Sequence, residues 1–240
     1  MKTRILNCFT CNARFPAHLK TSGTVFLLET EEGLILVDTG IGELDYQQKP
    51  FILRLFQLVT KVPLDPEEAA IFQISELGYS RKDVRHIVLT HMHFDHCGGI
   101  PDFPDAVIHV YRKEFEAFKG RRKSLMDWAY VRRHIAHQPH FETYELEGGQ
   151  WMGFDAVRIR VEPEMYLVPL PGHTAGHCGV AFRSETGWVF HVGDAASAEF
   201  THDFPGWIER LVLGPHIEYL ENFRVLHPDI RMTSGHMLVD

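Results

Sequence analysis

Apolar residues fall in short bursts along this chain, and the spacing of the bursts predicts a mixture of strands and helices. Residues 24–30, centred on Val25, Phe26, Leu27 and Leu28, read as a strand; a turn at 31–33 and a second strand at 34–37 make the pair a hairpin ending on Asp38-Thr39-Gly40. Residues 44–58 have a helical composition interrupted by Pro50. Residues 66–77 make a better helix, with Pro66 in the first turn, Ala69, Ala70, Phe72, Ile74 and Leu77 as apolar positions, and Gly78 as the stop. A short buried strand is predicted at 84–89 and another around Ile108 and Val110. Residues 114–119 and 125–136 read as helices, with the basic run 120–123 between them. The second half is strand-rich, at 141–146, 156–161, 167–170, 178–183 and 188–192. Helical patterns follow at 207–213 and 216–226, and a last strand at 230–233.

Each half mixes strands with helices and is too rich in hairpins for a doubly wound sheet alone. Two sheets packed face to face with helices outside account for this order, which makes the fold class α/β. A chain of 240 residues fits one such domain, spanning 1–240. The segment around 43–78 stands out as a helical cap or a dimerisation segment. Phe51, Ile52, Leu53, Leu55, Phe56, Leu58 and Val59 cannot all share one face of a helix, so part of them is expected to meet the core and part a second copy of the chain.

Composition narrows the function classes. Apolar residues make up 45% and charged residues 23%, as in an ordinary globular protein. A formal net charge of -8 argues against a nucleic-acid partner, which needs a basic footprint. Residues 1–15 are broken by Asn7, Thr10 and Asn12 and do not read as a secretory signal, and no run of eighteen apolar residues suggests a membrane span, so a cytoplasmic location is expected. Cys8, Cys11, Cys97 and Cys178 form no dense disulfide pattern. Cys8-x-x-Cys11 has the spacing of half a zinc knuckle but lacks a second pair to complete it. The unusual number is sixteen histidines, which prompts a search for metal ligands.

That search finds four groups, each at the end of an apolar strand. Thr90-His91-Met92-His93-Phe94-Asp95-His96 follows the strand at 84–89. Three imidazoles and a carboxylate within six residues cannot be buried without partners, and a first-row cation suits both donor types. The alternation lets His91 and His93 face one ion while Asp95 and His96 turn to a second. Pro171-Gly172-His173 follows the strand at 167–170, Gly193-Asp194 follows 188–192, and Gly235-His236 follows 230–233. Together they complete two ligand sets. His134, His137 and His140, at roughly helical spacing, are expected at the surface or a cleft edge. His177 is expected to have a hydrogen-bonded structural role. Phe200, Phe204 and Trp207 are candidates for the wall of an apolar pocket.

This pattern resembles the metallo-β-lactamase superfamily, which carries a His-x-His-x-Asp-His motif and then a lone histidine, an aspartate and a final histidine. Here these are His91, His93, Asp95, His96, His173, Asp194 and His236; Asp38-Thr39-Gly40 and Gly98-Gly99 match as well. The resemblance implies a four-layer αββα sandwich and two divalent metal ions, zinc first, with manganese, iron or cobalt as alternatives. It implies that His91, His93 and His173 hold the first ion and Asp95, His96 and His236 the second, that Asp194 bridges them, and that Asp38 orients a histidine ligand from behind. A water or hydroxide between the ions would be the nucleophile, with Asp95 and Asp194 handling protons.

Within the family the layout before His91 is most similar to quorum-quenching lactonases, which implies a small-molecule substrate, a lactone or related ester, and a homodimer. A phosphodiesterase of the same superfamily is the alternative activity, and a non-catalytic metal-binding protein the alternative class. One departure stands against acyl-homoserine lactone in particular. The resembled lactonases carry a tyrosine three residues after the bridging aspartate, where this chain has Ser197.

Overall fold

The computed structural model describes residues 1–13, 19–60, 65–121, 126–197 and 205–238. The first sheet begins with β1 (Lys2–Ala13) and β2 (Leu19–Thr30), paired antiparallel, and β2 turns directly into β3 (Gly33–Val37). Strands β4 (Val84–Val88), β5 (Val107–Tyr111) and β6 (Phe141–Tyr144) then add in parallel. A small hairpin, β7 (Gln150–Trp151) with β8 (Phe154–Asp155), leads to the second sheet. That sheet holds β9 (Val157–Arg158), β10 (Met165–Pro169), β11 (Cys178–Ser184), β12 (Gly187–His191) and β13 (Arg231–Thr233), in the order β13-β12-β11-β10-β9. The chain then crosses back, and β14 (His236–Leu238) pairs with β2 of the first sheet.

The α-helices among the described residues are α1 (Glu43–Gln48), α2 (Phe51–Thr60), α3 (Ala70–Glu76), α4 (Phe94–Cys97), α5 (Arg112–Lys119), α6 (Gly206–Val212) and α7 (Ile217–Leu226). Side-chain alternation along the strands sorts them into layers. Leu27, Leu36 and Ile87 face Ala70 and Ile74 of α3 and Phe118 of α5. Their neighbours Phe26, Leu28, Ile35, Val37 and Val88 face inward and meet Leu167, Val180, Phe182 and Val189 of the second sheet. On the far side Val168, Ala181 and Phe190 pack under Leu220 and Phe223 of α7. The result is the expected four-layer αββα sandwich.

Local departures from the sequence reading have physical causes. The helix expected at 44–58 is two helices, α1 and α2, separated at Lys49 and Pro50. Leu53 of α2 is buried while Phe51, Leu55 and Leu58 stay exposed, so the helix packs on one side. The helix expected at 66–77 is a 3-10 turn, Pro66–Glu68, followed by α3, because Ala69 between them is extended. The helix expected at 125–136 is replaced by two 3-10 turns, Met126–Ala129 and Arg132–Ile135, with Val131 extended between them; residues 122–125, with part of the basic run, lie outside the described residues. Strand β1 escaped the periodicity because its register shifts between Asn7 and Thr10, which turns the adjacent Cys8 and Phe9 both into the core.

Across β4, β5 and β6 runs a chain of polar groups. His86 Nδ1 lies 2.9 Å from His109 Nε2, His109 Nδ1 lies 2.9 Å from the Tyr144 hydroxyl, and that hydroxyl donates to Glu142 at 2.9 Å. Since the phenol donates to the carboxylate, it accepts from His109 Nδ1, which leaves His109 Nε2 as the acceptor for His86. His109 is therefore neutral. Burial pushes His109 down to about 4, and His86 adds to the shift. The sign follows: the unfolded chain takes up a proton near pH 6.5 and the folded chain does not until about pH 4, so stability falls as pH drops through that window. The loss assignable to His109 is on the order of 3 kcal/mol. Urea unfolding of cation-free protein at pH 7 and pH 4.5 should show a shallower pH dependence for His109→Gln than for the parent chain; equal slopes would dismiss the effect.

Candidate metal centre

All four predicted groups meet at one edge of the sandwich. After β4 the backbone bends at Thr90, His93 is extended (φ -69°, ψ 155°), His91 and His93 bring their donor atoms together, and then α4 turns Asp95 and His96 onto an adjoining position. This path is clamped from behind: Thr39 donates its backbone N–H and its hydroxyl to the His96 carbonyl at 2.7 and 3.0 Å, and accepts from Gly99 N–H at 2.9 Å. His173 arrives on the loop after β10 and Asp194 on the short turn Gly193–Ala195 after β12. Gly193, at φ +54°, takes the left-handed conformation needed to aim that turn at the site. His236 opens β14.

Asp194 sits at the centre. Its Oδ1 lies 3.3 Å from His96 Nε2, and its Oδ2 lies 3.4 Å from His173 Nε2 and 3.5 Å from His236 Nε2. His173 Nε2 is 3.0 Å from His93 Nδ1, and His236 Nε2 is 3.9 Å from Asp95 Oδ2. Two donors on one tetrahedral zinc at its usual bond lengths stand roughly 3.3 Å apart, so these separations suit ligands converging on cations. Donor atoms of three sets fall within 4.8 Å of one another: His91, His93 and His173; His91, His96 and Asp194; Asp95, His96 and His236. His91 Nε2, His96 Nε2 and Asp194 Oδ1 are buried without a hydrogen-bond partner, which a folded protein rarely tolerates unless another ligand answers them. The residues present therefore fit divalent cations.

Electrostatics agree. Burial, reinforced by the neighbouring imidazoles, pushes His91 and His93 well below the usual imidazole range, so both offer lone pairs. Burial also opposes charge on His96, yet Asp194, Asp95 and Asp38 outweigh it and hold that ring well above its ordinary value. His236 is raised in the same way, with Asp194 and Asp95 overcoming burial. Asp194, which burial would raise, is held well below the carboxylate range by His96 and His236. The centre thus calls for positive charge on the Asp95 and His236 side. That side is also where it opens, with the His236 side chain 27% exposed and Asp95 17%.

Behind the centre stands Asp38, at φ +59°. Its carboxylate accepts from Thr90 N–H at 2.8 Å, the Thr90 hydroxyl at 2.7 Å and His96 Nδ1 at 2.9 Å, which orients the His96 ring. Burial would raise Asp38, but the adjacent His191 imidazole and the hydrogen-bonded His96 ring win and push it down to about 2. His191, 3.8 Å away, is a member of this group that the sequence did not single out. It is the last residue of the apolar strand β12, and no motif marks it. His177 is structural as expected: burial pushes it down to about 3, and its neutral Nε2 accepts the Asp194 backbone N–H at 3.0 Å.

Other expectations change. His134 is fully buried, not at the surface, and donates to Asp45, which also holds Arg133 at 2.9 Å. His137 and His140 are exposed as expected. Cys8 and Cys11 are buried among apolar residues, and burial pushes the Cys8 thiol far up, so it is no thiolate ligand. Trp207 is 71% exposed and is no core residue; Phe200 and Phe204 lie outside the described residues.

Residues 20–239 match the metallo-beta-lactamase superfamily. The chain belongs to that superfamily. A probable metallo-hydrolase of Mycobacterium tuberculosis is 41% identical over 197 residues, covering 81% of this chain and 62% of the relative. An N-acyl homoserine lactonase of Bacillus thuringiensis is 34% identical over 161 residues, 67% of this chain and 58% of the relative. The matches thus span about three fifths of those relatives' lengths. Among solved structures, a quorum-quenching N-acyl homoserine lactone lactonase superimposes with a TM-score of 0.70 at 25% identity, over 98% of this chain and 92% of that one. Metallo-beta-lactamase membership accounts for the αββα layers and for the cluster of histidines and aspartates at the sandwich edge, which in this superfamily implies divalent metal ions. Among the described residues no helix is long and apolar enough to cross a membrane.

Proposed function

We propose that the chain is a metal-dependent hydrolase of a small lactone or related ester, with His91, His93 and His173 holding one divalent cation, Asp95, His96 and His236 a second, and Asp194 spanning both. The observation that carries this reading is the position of Asp194, within 3.5 Å of imidazole nitrogens from both sets. When bound, such a cation pair lowers the pKa of water to give a nucleophile near neutral pH and stabilises charge on an acyl oxygen. The chain's own residues do the rest. His91 and His93, kept neutral by burial, supply lone pairs that need no deprotonation on loading. Asp38 fixes the His96 ring. Asp95, at the open side and 3.9 Å from His236, is placed to pass a proton to the departing alkoxide, with Asp194 as the other candidate. The lactonase likeness favours an ester substrate, while Ser197 in place of tyrosine argues for one other than acyl-homoserine lactone, because a serine hydroxyl does not reach as far as a phenol.

A substrate panel tests this directly. Protein loaded separately with zinc, manganese, iron or cobalt is assayed on lactones of varied chain length, aryl esters, a thioester, a phosphodiester and a β-lactam. Lactone or ester turnover above the other classes is the expected result. Strong phosphodiester turnover with none on lactones or esters would replace the substrate reading and leave the cation sites standing.

A further inference from the structure

Glu114, in the first turn of α5, is fully buried, and no motif marks it. It takes four hydrogen bonds, all from neutral donors. Oε1 accepts the Met92 backbone N–H at 2.9 Å and the Tyr130 hydroxyl at 3.0 Å. Oε2 accepts the Thr174 hydroxyl at 2.6 Å and the Gly176 backbone N–H at 3.2 Å. The identity of these donors is the informative part. Met92 lies between His91 and His93, Thr174 follows His173, and the Tyr130 ring packs against His93 with centroids 5.0 Å apart. One carboxylate therefore joins the loop that leaves β4 of the first sheet to the loop that leaves β10 of the second. Both loops bearing the histidines of the first set are tied to it, and no residue of the Asp95, His96 and His236 set donates to it. The approach is close: a Cβ on Gly176 would stand 2.1 Å from the Glu114 backbone nitrogen, so the glycine is required for this contact.

A buried carboxylate without a basic partner is an expensive way to join two loops when an amide or hydroxyl would serve. What a carboxylate alone provides is acceptance on both oxygens at once, from two backbone N–H groups on different loops. We propose that Glu114 is the positioning residue of the first cation site, setting His91 and His93 at the separation from His173 that one cation requires. This rests on the reading of these histidines as cation ligands. Glutamine is the discriminating replacement. Its oxygen keeps Met92 and Tyr130, and its NH2 can still meet the Thr174 hydroxyl, but it opposes the Gly176 N–H donor to donor. Glu114→Gln therefore loosens the tie to one loop and keeps the other, whereas Glu114→Ala releases both.

The test is a cobalt titration of cation-free protein, following the visible absorption of each site, with His173→Ala as the reference for loss of the first site. Glu114→Gln should weaken the first site about tenfold and Glu114→Ala about a hundredfold, with altered first-site absorption and an unchanged second site. General loosening of the fold would weaken both sites alike, and that result would overturn the proposal. So would wild-type affinity and spectrum at both sites in the glutamine variant, which decides alone if the alanine variant does not fold. Parent protein that takes up no cobalt would overturn the ligand reading along with this inference; normal uptake by the parent and by Glu114→Gln would overturn this inference only.

Discussion

Asp194→Ala should lower kcat/KM on the responsive ester by on the order of 10³-fold, equivalent to about 4 kcal/mol of transition-state stabilisation. Cation content should fall from about two equivalents to about one, since each ligand set loses the carboxylate that the two share. A second readout is independent of turnover. In cation-free protein Asp194 is the leading influence that raises His96 and His236 against the effect of burial. Without it both rings should titrate at lower pH, and NMR of the imidazole protons would show the shift. Two retained cations together with an unchanged rate would remove Asp194 from the bridging role.

Gly235→Ala should cost nearly as much without touching a ligand. Gly235 donates to the Gly193 carbonyl at 2.7 Å and accepts from Thr24 N–H at 2.8 Å, so its backbone is held on both sides. A Cβ there would stand 2.2 Å from Asp194 Oδ1 and 2.9 Å from His96 Cε1. The carboxylate has to move, because neither the backbone nor the clamped His96 ring is free to. Overpacking of this kind costs about 1–3 kcal/mol, and here it falls on the centre rather than on a core. Cation affinity should drop about a hundredfold or more, while the far-UV spectrum stays that of the parent. Calorimetric titration giving parental affinity would show that the site yields more easily than these contacts allow.

These two residues illustrate what the sequence makes legible. Asp194 was readable because it stands at a strand end in series with three other such groups, and the motif around His91 and His96 is local, with His93 extended and one helical turn carrying Asp95 and His96. Gly235 was readable only as a flank, since its role depends on a contact with residues 41 and more positions away in the chain. Glu114 was passed over, and His134 was placed at the surface, for a related reason. Each sits in a stretch whose pattern suits an exposed helix face, and each is buried by partners remote in sequence: Met92 and Thr174 for one, Asp45 for the other. The same contacts explain the lost helix at 125–136. Tyr130 is held by Glu114 and Arg133 by Asp45, and this anchoring overrides a local helical preference. Strand β14 was missed because three residues are too few to show a period, and its place is set by pairing with β2.

The return of the chain to the first sheet at β14 has a kinetic consequence. His91, His93, Asp95, His96 and His236 hang from the first sheet, while His173 and Asp194 hang from the second. A loaded centre is thus a set of rivets through two plates otherwise joined mainly by an apolar layer and a few hydrogen bonds such as those of Glu114. Prying the plates apart must break coordination bonds before much hydrophobic surface is exposed. The cation-loaded form should therefore unfold far more slowly than the empty one, and a chelator should act as a release catch whose speed depends on how often the Asp95 and His236 side opens.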